Sequence, residues 1–239
     1  TLARRLLDET TIPWFRLLYI YSAGLRDPLI ELMAAESRLL PYIDMPIQHA
    51  ADPVLESMRR PERAGTLRKK IARLRDAIPD LTLRTTVLVG FPGETDDDFR
   101  ALLDFLEEAA FDRLGAFAFS PQDGTRAAAM EDRFVPEGQA RDRLEELLEV
   151  QRAISADRLA REVGRRKEVI VDREAEGRLQ GRTSWQADDV DGVTNLSTDR
   201  VWITGTLLEA EILSAQDFDL EAEDVGEVRS APTTDREIA

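Results

Sequence analysis

The chain has 239 residues, 43% hydrophobic and 33% charged, which is enough for one large globular domain or two ordinary ones. It contains no cysteine, which excludes disulfides, thiolate zinc sites, cysteine nucleophiles and any iron–sulfur cluster ligated from within the chain; a single histidine excludes a multi-histidine metal centre. The net charge of −15, the lack of a run of ~18 apolar residues and the lack of a visible signal peptide point to an acidic cytoplasmic protein with no transmembrane helix. They also speak against broad nucleic-acid binding and for a basic partner.

The chain opens on Thr1, and Leu2 to Glu9 reads as the end of a helix that Pro13 breaks, so an N-terminal part is expected to precede it. Nearly continuous apolar runs follow at Arg16–Tyr21, Tyr42–Ile47, Leu81–Gly90 and Leu114–Ser120, as in parallel strands buried on both faces. Helical candidates alternate with them at Asp27–Ala35, Pro53–Arg59, Thr66–Ala77 and Asp96–Ala109. This is βαβ architecture, in an open sheet or a barrel. Four strands are too few to close a barrel, and half of one is expected.

Pro136 suits the first turn of a longer helix, whose apolar face runs from Leu144 to about Val163 before Gly164 stops it. Five short strands are then predicted at Glu168–Asp172, Leu179–Thr183, Gly192–Asn195, Val201–Thr204 and Leu207–Leu213, a small antiparallel barrel of the oligonucleotide-binding type. The expected domains are residues 1–162, residues 163–229 and a frayed tail, 230–239. Residues 163–229 hold 8 Lys+Arg against 16 Asp+Glu, so the small barrel carries −8.

Four segments draw attention as chemistry. Leu83–Thr95 runs from a strand into a glycine-bracketed turn and a helix capped by Thr95 and Asp98. Gly90 and Gly93 there would admit a cofactor at the carboxyl end of a parallel strand, where such ligands sit; the same residues also suit an ordinary β-to-α turn. Tyr42–Ala50 ends in Gln48 and His49, which would bond a ligand or shuttle a proton, or simply pack at a strand end. Phe117–Thr125 places polar groups at the same rim or is a loop. Gly181–Gly192 offers Arg182, Trp185 and an acidic run to a partner, or is a solvated hairpin. No Walker loop, dinucleotide fingerprint, hydrolase elbow or paired-histidine zinc helix is present.

Taken in order, Arg-Leu-Leu-Tyr-Ile-Tyr, Tyr-Ile-Asp-Met-Pro-Ile-Gln-His, Leu-Arg-Thr-Thr-Val-Leu-Val-Gly-Phe-Pro-Gly-Glu-Thr and Phe-Ser-Pro-Gln-Asp-Gly-Thr resemble the radical S-adenosylmethionine methylthiotransferases. The Gly-Arg-Thr…Val-Asp-Gly stretch is similar to their C-terminal TRAM domain. The branch that methylthiolates an aspartate of a small-subunit ribosomal protein is the nearer one, because the tRNA branch usually has Ser-Gly after the glutamine where this chain has His49-Ala50. Ser22, where the family often has proline, departs from the pattern.

The resemblance implies the C-terminal half of a radical-SAM barrel followed by a TRAM barrel. It implies S-adenosylmethionine, two [4Fe–4S] clusters in the full-length family, and a flavodoxin or ferredoxin as electron donor. A cluster cleaves the cofactor to a 5′-deoxyadenosyl radical, which takes hydrogen from the aspartate β-carbon. The cluster ligands are absent here, so the chain by itself is not expected to catalyse. Carried over residue by residue, Gln48, His49, Arg84, Thr86, Val89, Gly90, Phe91, Pro92, Phe119 and Ser120 are expected to face S-adenosylmethionine. Arg182, Trp185, Asp188, Asp189 and Asp191 are expected to meet the substrate. A TRAM module at −8 suits a basic ribosomal protein better than tRNA. The alternatives are a tRNA-adenosine methylthiotransferase and a truncated, non-catalytic module that binds a basic protein.

Overall fold

A computed structural model describes residues 2–175, 177–188 and 190–228. The chain divides into two compact units. One gathers residues up to Arg16, Leu32–Pro41 and the chain from Leu159 onward; the other comprises Leu17–Glu31 and Tyr42–Arg158. The expected tail, 230–239, lies outside the described residues.

The first elements are α1 (Leu2–Glu9), β1 (Phe15–Leu17), α2 (Asp27–Ala35), β2 (Leu39–Asp44), α3 (Asp52–Ser57), α4 (Ala64–Ala77), β3 (Thr82–Val89), α5 (Asp96–Ala109), β4 (Arg113–Ala118) and α6 (Glu137–Ala160). The sheet order is β1-β2-β3-β4, and the β2–β3 and β3–β4 pairs are parallel. The expected four-stranded partial barrel is therefore present, with α2 and α5 spanning the predicted residues.

β3 reads Thr-Leu-Arg-Thr-Thr-Val-Leu-Val, and its burial alternates: Leu83, Thr85, Val87 and Val89 are buried while Arg84, Thr86 and Leu88 are half-buried. Period two sends one set toward the helices and leaves the other on the opposite, more open face. α5 starts where Thr95 Oγ1 accepts the Asp98 N–H at 3.2 Å and Asp98 Oδ2 accepts the Thr95 N–H at 3.0 Å. Three aspartates in its first turn suit the positive end of the helix dipole. Its apolar face buries Phe99, Leu102, Phe105 and Leu106. The run beyond β2 does not continue as a regular strand, but Ile47 donates to Thr85 Oγ1 and Gln48 pairs with Val87 as an isolated parallel bridge.

In the other unit β5 (Arg166–Ala175), β6 (Arg178–Thr183), β7 (Thr194–Ser197), β8 (Leu207–Gln216) and β9 (Asp219–Val228) close a barrel in the order β5-β6-β7-β9-β8. Val169, Val171, Leu196, Leu208, Ala210, Ile212, Leu220 and Ala222 fill it, joined by Leu159. Two sequence expectations need correction. Val201–Thr204 is not a strand; Val201 and Ile203 are 96% and 75% exposed, so they have no core to enter. The fifth strand is β9, whose acidic Asp-Leu-Glu-Ala-Glu opening hides a two-residue alternation in which Leu220 and Ala222 point inward. Nor is the barrel wholly antiparallel, because β7 and β9 run parallel. Among the described residues no helix is long and apolar enough to cross a membrane.

Candidate functional site

The open face of the parallel sheet is built from alternate residues. Parallel register places Thr86 beside Gly115 and Leu88 beside Phe117. A Cβ on Gly115 would lie 3.7 Å from Thr86 Oγ1, 3.8 Å from Arg84 Nη2 and 3.8 Å from the Phe117 ring, so these side chains share one surface. Phe117 is 59% exposed, an aromatic ring left uncovered beside polar groups. Arg84 is held by Asp44, Nη1 to Oδ1 at 3.1 Å, and Asp44, itself buried, also accepts the Tyr19 N–H at 3.2 Å.

Gln48, in register with Val87, has φ +67°, a conformation that costs a side-chain-bearing residue of order 1 kcal/mol or more. Its backbone is pinned between Thr86 O, at 2.9 Å from its N–H, and the Leu88 N–H, at 2.7 Å from its carbonyl. The side-chain amide of Gln48 and the hydroxyl of Thr86 have no protein hydrogen-bond partner among the described residues. Both are half-buried; the Thr86 hydroxyl, on the open face beside the Phe117 ring, can bond a hydroxyl or ring nitrogen of a nucleoside. That hydroxyl and ring fit the adenosyl part of S-adenosylmethionine. No thiolate is available for a cluster, so the chain's own residues do not fit an iron–sulfur group.

The glycine turn behaves differently from the sequence expectation. Gly90 has φ +72°, and a Cβ there would fall 2.6 Å from Ala140 Cβ on α6; the space is used for helix packing. Gly93 has φ +89° and lies against the guanidinium of Arg133, whose Cζ would be 2.8 Å from an added Cβ. The turn is therefore occupied by the chain's own atoms rather than left as a cradle for a cofactor.

The residue that organises the turn is Glu94, which sequence reasoning passed over. Its Oε2 accepts the Gly90 N–H at 2.8 Å and the Phe91 N–H at 3.3 Å; its Oε1 meets Arg143 Nη1 at 2.8 Å. Arg143 also reaches Asp96 at 2.6 Å, and this bond and charge hold the Asp96 carboxyl below its ordinary value. The signal was present as an acid four residues after Gly90, within reach of the turn's backbone amides.

His49 is fully buried: Nδ1 accepts the Ala51 N–H at 2.9 Å, and Nε2 stands 3.5 Å from Glu94 Oε2, a separation too long for a good hydrogen bond. The expectation that His49 faces a cofactor is corrected to a packing role. Val89 and Pro92 are buried, Val89 on the face opposite Thr86. Phe119 belongs to an aromatic stack, 5.4 Å from Phe91 and 5.8 Å from Phe134, both edge-on, and Ser120 is exposed beyond the strand. Of the expected cofactor residues, the open face holds Arg84 and Thr86, while Gln48 is in register with Val87; Leu88 and Phe117 join the open face.

In the barrel, Trp185 is 6% exposed and Lys167 Nζ stands 3.7 Å above its ring, so it presents little surface to a substrate. Asp191 is 2% exposed and its Oδ2 accepts the Ala187 N–H at 2.8 Å, a loop-closing role. Gln186 Oε1 collects the Thr183 N–H at 3.0 Å and the Thr194 hydroxyl at 2.6 Å. Arg182 is ion-paired with Asp172 and lies 3.4 Å from the exposed Asp188. Burial, outweighing the Arg182 charge, raises the Asp172 carboxyl. Asp189 lies outside the described residues. On the outer surface, cross-strand register sets Glu168 opposite Glu209 and Glu211 opposite Glu223. Arg166, in register with Glu211 and 3.8 Å from its carboxylate, offsets part of this charge.

Residues 2–106 match the Radical SAM superfamily, and residues 163–225 match the TRAM domain. Ribosomal protein uS12 methylthiotransferase RimO of Geobacter sulfurreducens is 42% identical over 233 residues, 96% of this chain and 51% of its own. The protein of the same name from Trichlorobacter lovleyi is 44% identical over 229 residues, 95% and 51%. The radical SAM enzyme coproporphyrinogen III oxidase (HemN) from Escherichia coli superposes with a TM-score of 0.52 at 11% identity. It covers 88% of this chain and 50% of its own, a likeness of fold. The chain spans about half the length of the curated relatives it matches. The chain thus carries a Radical SAM region followed by a TRAM domain, in the expected order, and is similar along nearly its whole length to uS12 methylthiotransferases.

Proposed function

We propose that this chain is the C-terminal part of a cytoplasmic enzyme that β-methylthiolates an aspartate of a small-subunit ribosomal protein. The observation that carries the reading is the open face of the sheet. The unpartnered Thr86 hydroxyl lies there beside exposed Phe117, in a chain more than 40% identical to uS12 methylthiotransferases. In this reading Thr86 bonds the adenosyl group, Phe117 covers an apolar surface beside it, and Asp44 keeps the Arg84 guanidinium in place. S-adenosylmethionine, with two [4Fe–4S] clusters held outside this chain and an electron donor such as flavodoxin or ferredoxin, supplies the hydrogen abstraction and sulfur transfer. The residues described here bind, orient and shield.

The barrel supports a basic protein partner over tRNA. At −8, it repels phosphates and steers a cationic surface. The test is binding of this chain to a purified basic small-subunit ribosomal protein and to tRNA at low and moderate salt. Protein binding that weakens with salt is expected, and preferential tRNA binding would move the assignment to the tRNA-modifying branch.

A further inference from the structure

The stretch of the barrel expected to face a partner, residues 181–192, turns Trp185 and Asp191 inward. Another segment, residues 198–206 between β7 and β8, does the reverse. Val201 there is 96% exposed, more than any other large hydrophobic residue among those described, and Ile203 is 75% exposed. Trp202 between them packs against the barrel core, which leaves an aliphatic side chain uncovered on either side of it.

This exposure is built by hydrogen bonds. One carboxylate, Asp224, anchors the first half of the segment: its Oδ2 accepts the Thr198 hydroxyl and the Trp202 Nε1–H, each at 2.8 Å, and its Oδ1 accepts the Gly226 N–H at 2.6 Å. Arg200 lies across Gly226, bonding its carbonyl at 3.0 Å in space that a Cβ there would fill. The second half is tied to β5, where the Thr204 hydroxyl bonds Asp172 O at 3.1 Å and the Gly205 N–H bonds Val171 O at 2.7 Å. A segment fixed at both ends presents its side chains without having to be ordered by a partner.

The charge around the pair selects that partner. The nearby cations are engaged, Arg200 with Gly226 and the Trp202 ring, and Arg182 with Asp172 and Asp188. The nearby acids are not: Asp199 in the segment and Glu223, in register with Ser197 at its root, are exposed and have no ionic partner among the described residues. Uncovered aliphatic side chains beside free carboxylates fit a cationic protein surface that also offers an apolar contact.

We propose that Val201 and Ile203 are the apolar anchor by which the barrel docks a basic protein. The inference rests on the function proposed above, and its partner is the ribosomal-protein substrate. Wild type, Val201→Ser/Ile203→Ser, Val201→Ile/Ile203→Val and Asp199→Asn/Glu223→Gln are titrated calorimetrically with a purified basic small-subunit ribosomal protein at low and moderate salt. All four positions are exposed, so the variants should keep the urea midpoint of the wild type. The serine pair should lose about tenfold or more in affinity at both salts and bind with a less negative heat capacity change. The exchanged aliphatic pair should keep both values, and the amide pair should lose affinity at low salt alone. Full affinity in the serine pair overturns the anchor and leaves the proposed function standing. A wild-type chain that does not bind the ribosomal protein refutes the anchor, and one that binds tRNA in its place refutes the proposed function as well. A dimer in sedimentation that the serine pair abolishes makes a second copy the occupant and defeats the proposal.

Discussion

Gly90→Ala tests the packing of the glycine turn most sharply. The substitution puts a Cβ on a residue with φ +72°, which costs about 1–2 kcal/mol for an L side chain. It also drives that Cβ to 2.6 Å from Ala140 Cβ and 3.4 Å from its Cα, and overpacking of this kind costs about 1–3 kcal/mol. The sum is a loss of about 2–5 kcal/mol, read as a lower urea midpoint in far-UV circular dichroism. Ala140→Gly separates the two contributions. Alone it costs about 1 kcal/mol of helix propensity. Combined with Gly90→Ala it removes the collision but not the backbone strain, so the pair should show about 1–3 kcal/mol of favourable coupling. Additivity to within about 0.5 kcal/mol would refute the claim that α6 occupies the space at Gly90.

Glu94→Ala leaves the buried Arg143 without its buried carboxylate partner and the Gly90 N–H without an acceptor, and should cost about 3–5 kcal/mol; urea denaturation showing under 1 kcal/mol would sink the role assigned to Glu94. Thr86→Val should leave stability within about 0.5 kcal/mol, since the hydroxyl has no protein partner, and weaken S-adenosylmethionine binding about two- to tenfold by calorimetry; unchanged affinity would remove Thr86 from the ligand face. Burial raises the Asp224 carboxyl, but bonds from Thr198, Trp202 and the Gly226 N–H outweigh it and the net shift is downward. Its contribution to stability is therefore full above the unfolded value of about 3.9 and is lost as pH falls through the lower native value. Trp202, whose Nε1 donates to Asp224 at 2.8 Å, reports this, and an acid transition unchanged in Asp224→Asn would contradict it.

The elements legible in the sequence are those set by local rules. The alternation of β3, the apolar stripe of α4 and the Thr95–Asp98 cap on α5 each depend on neighbours a few residues apart, so period and capping chemistry sufficed. The ordered motifs likewise pointed to the family that the relatives then supported. β9 was hidden because its buried residues among those described, Leu220 and Ala222, stand among acids, a pattern that becomes a strand when β7 and β8 flank it. The site's division of labour also waited for the tertiary structure. Whether a glycine admits a cofactor depends on what faces it, and Ala140 and Arg133 arrive from some 40–50 residues away along the chain. Whether His49 faces a ligand depends on Glu94, and whether Trp185 meets a partner depends on Lys167. Composition alone established an acidic chain with no thiolate to hold a cluster. Only the fold left Val201 and Ile203 uncovered, because which side chains of an apolar run are buried is decided by the group that holds the run, here Asp224, 22 residues beyond Trp202, drawing that ring inward.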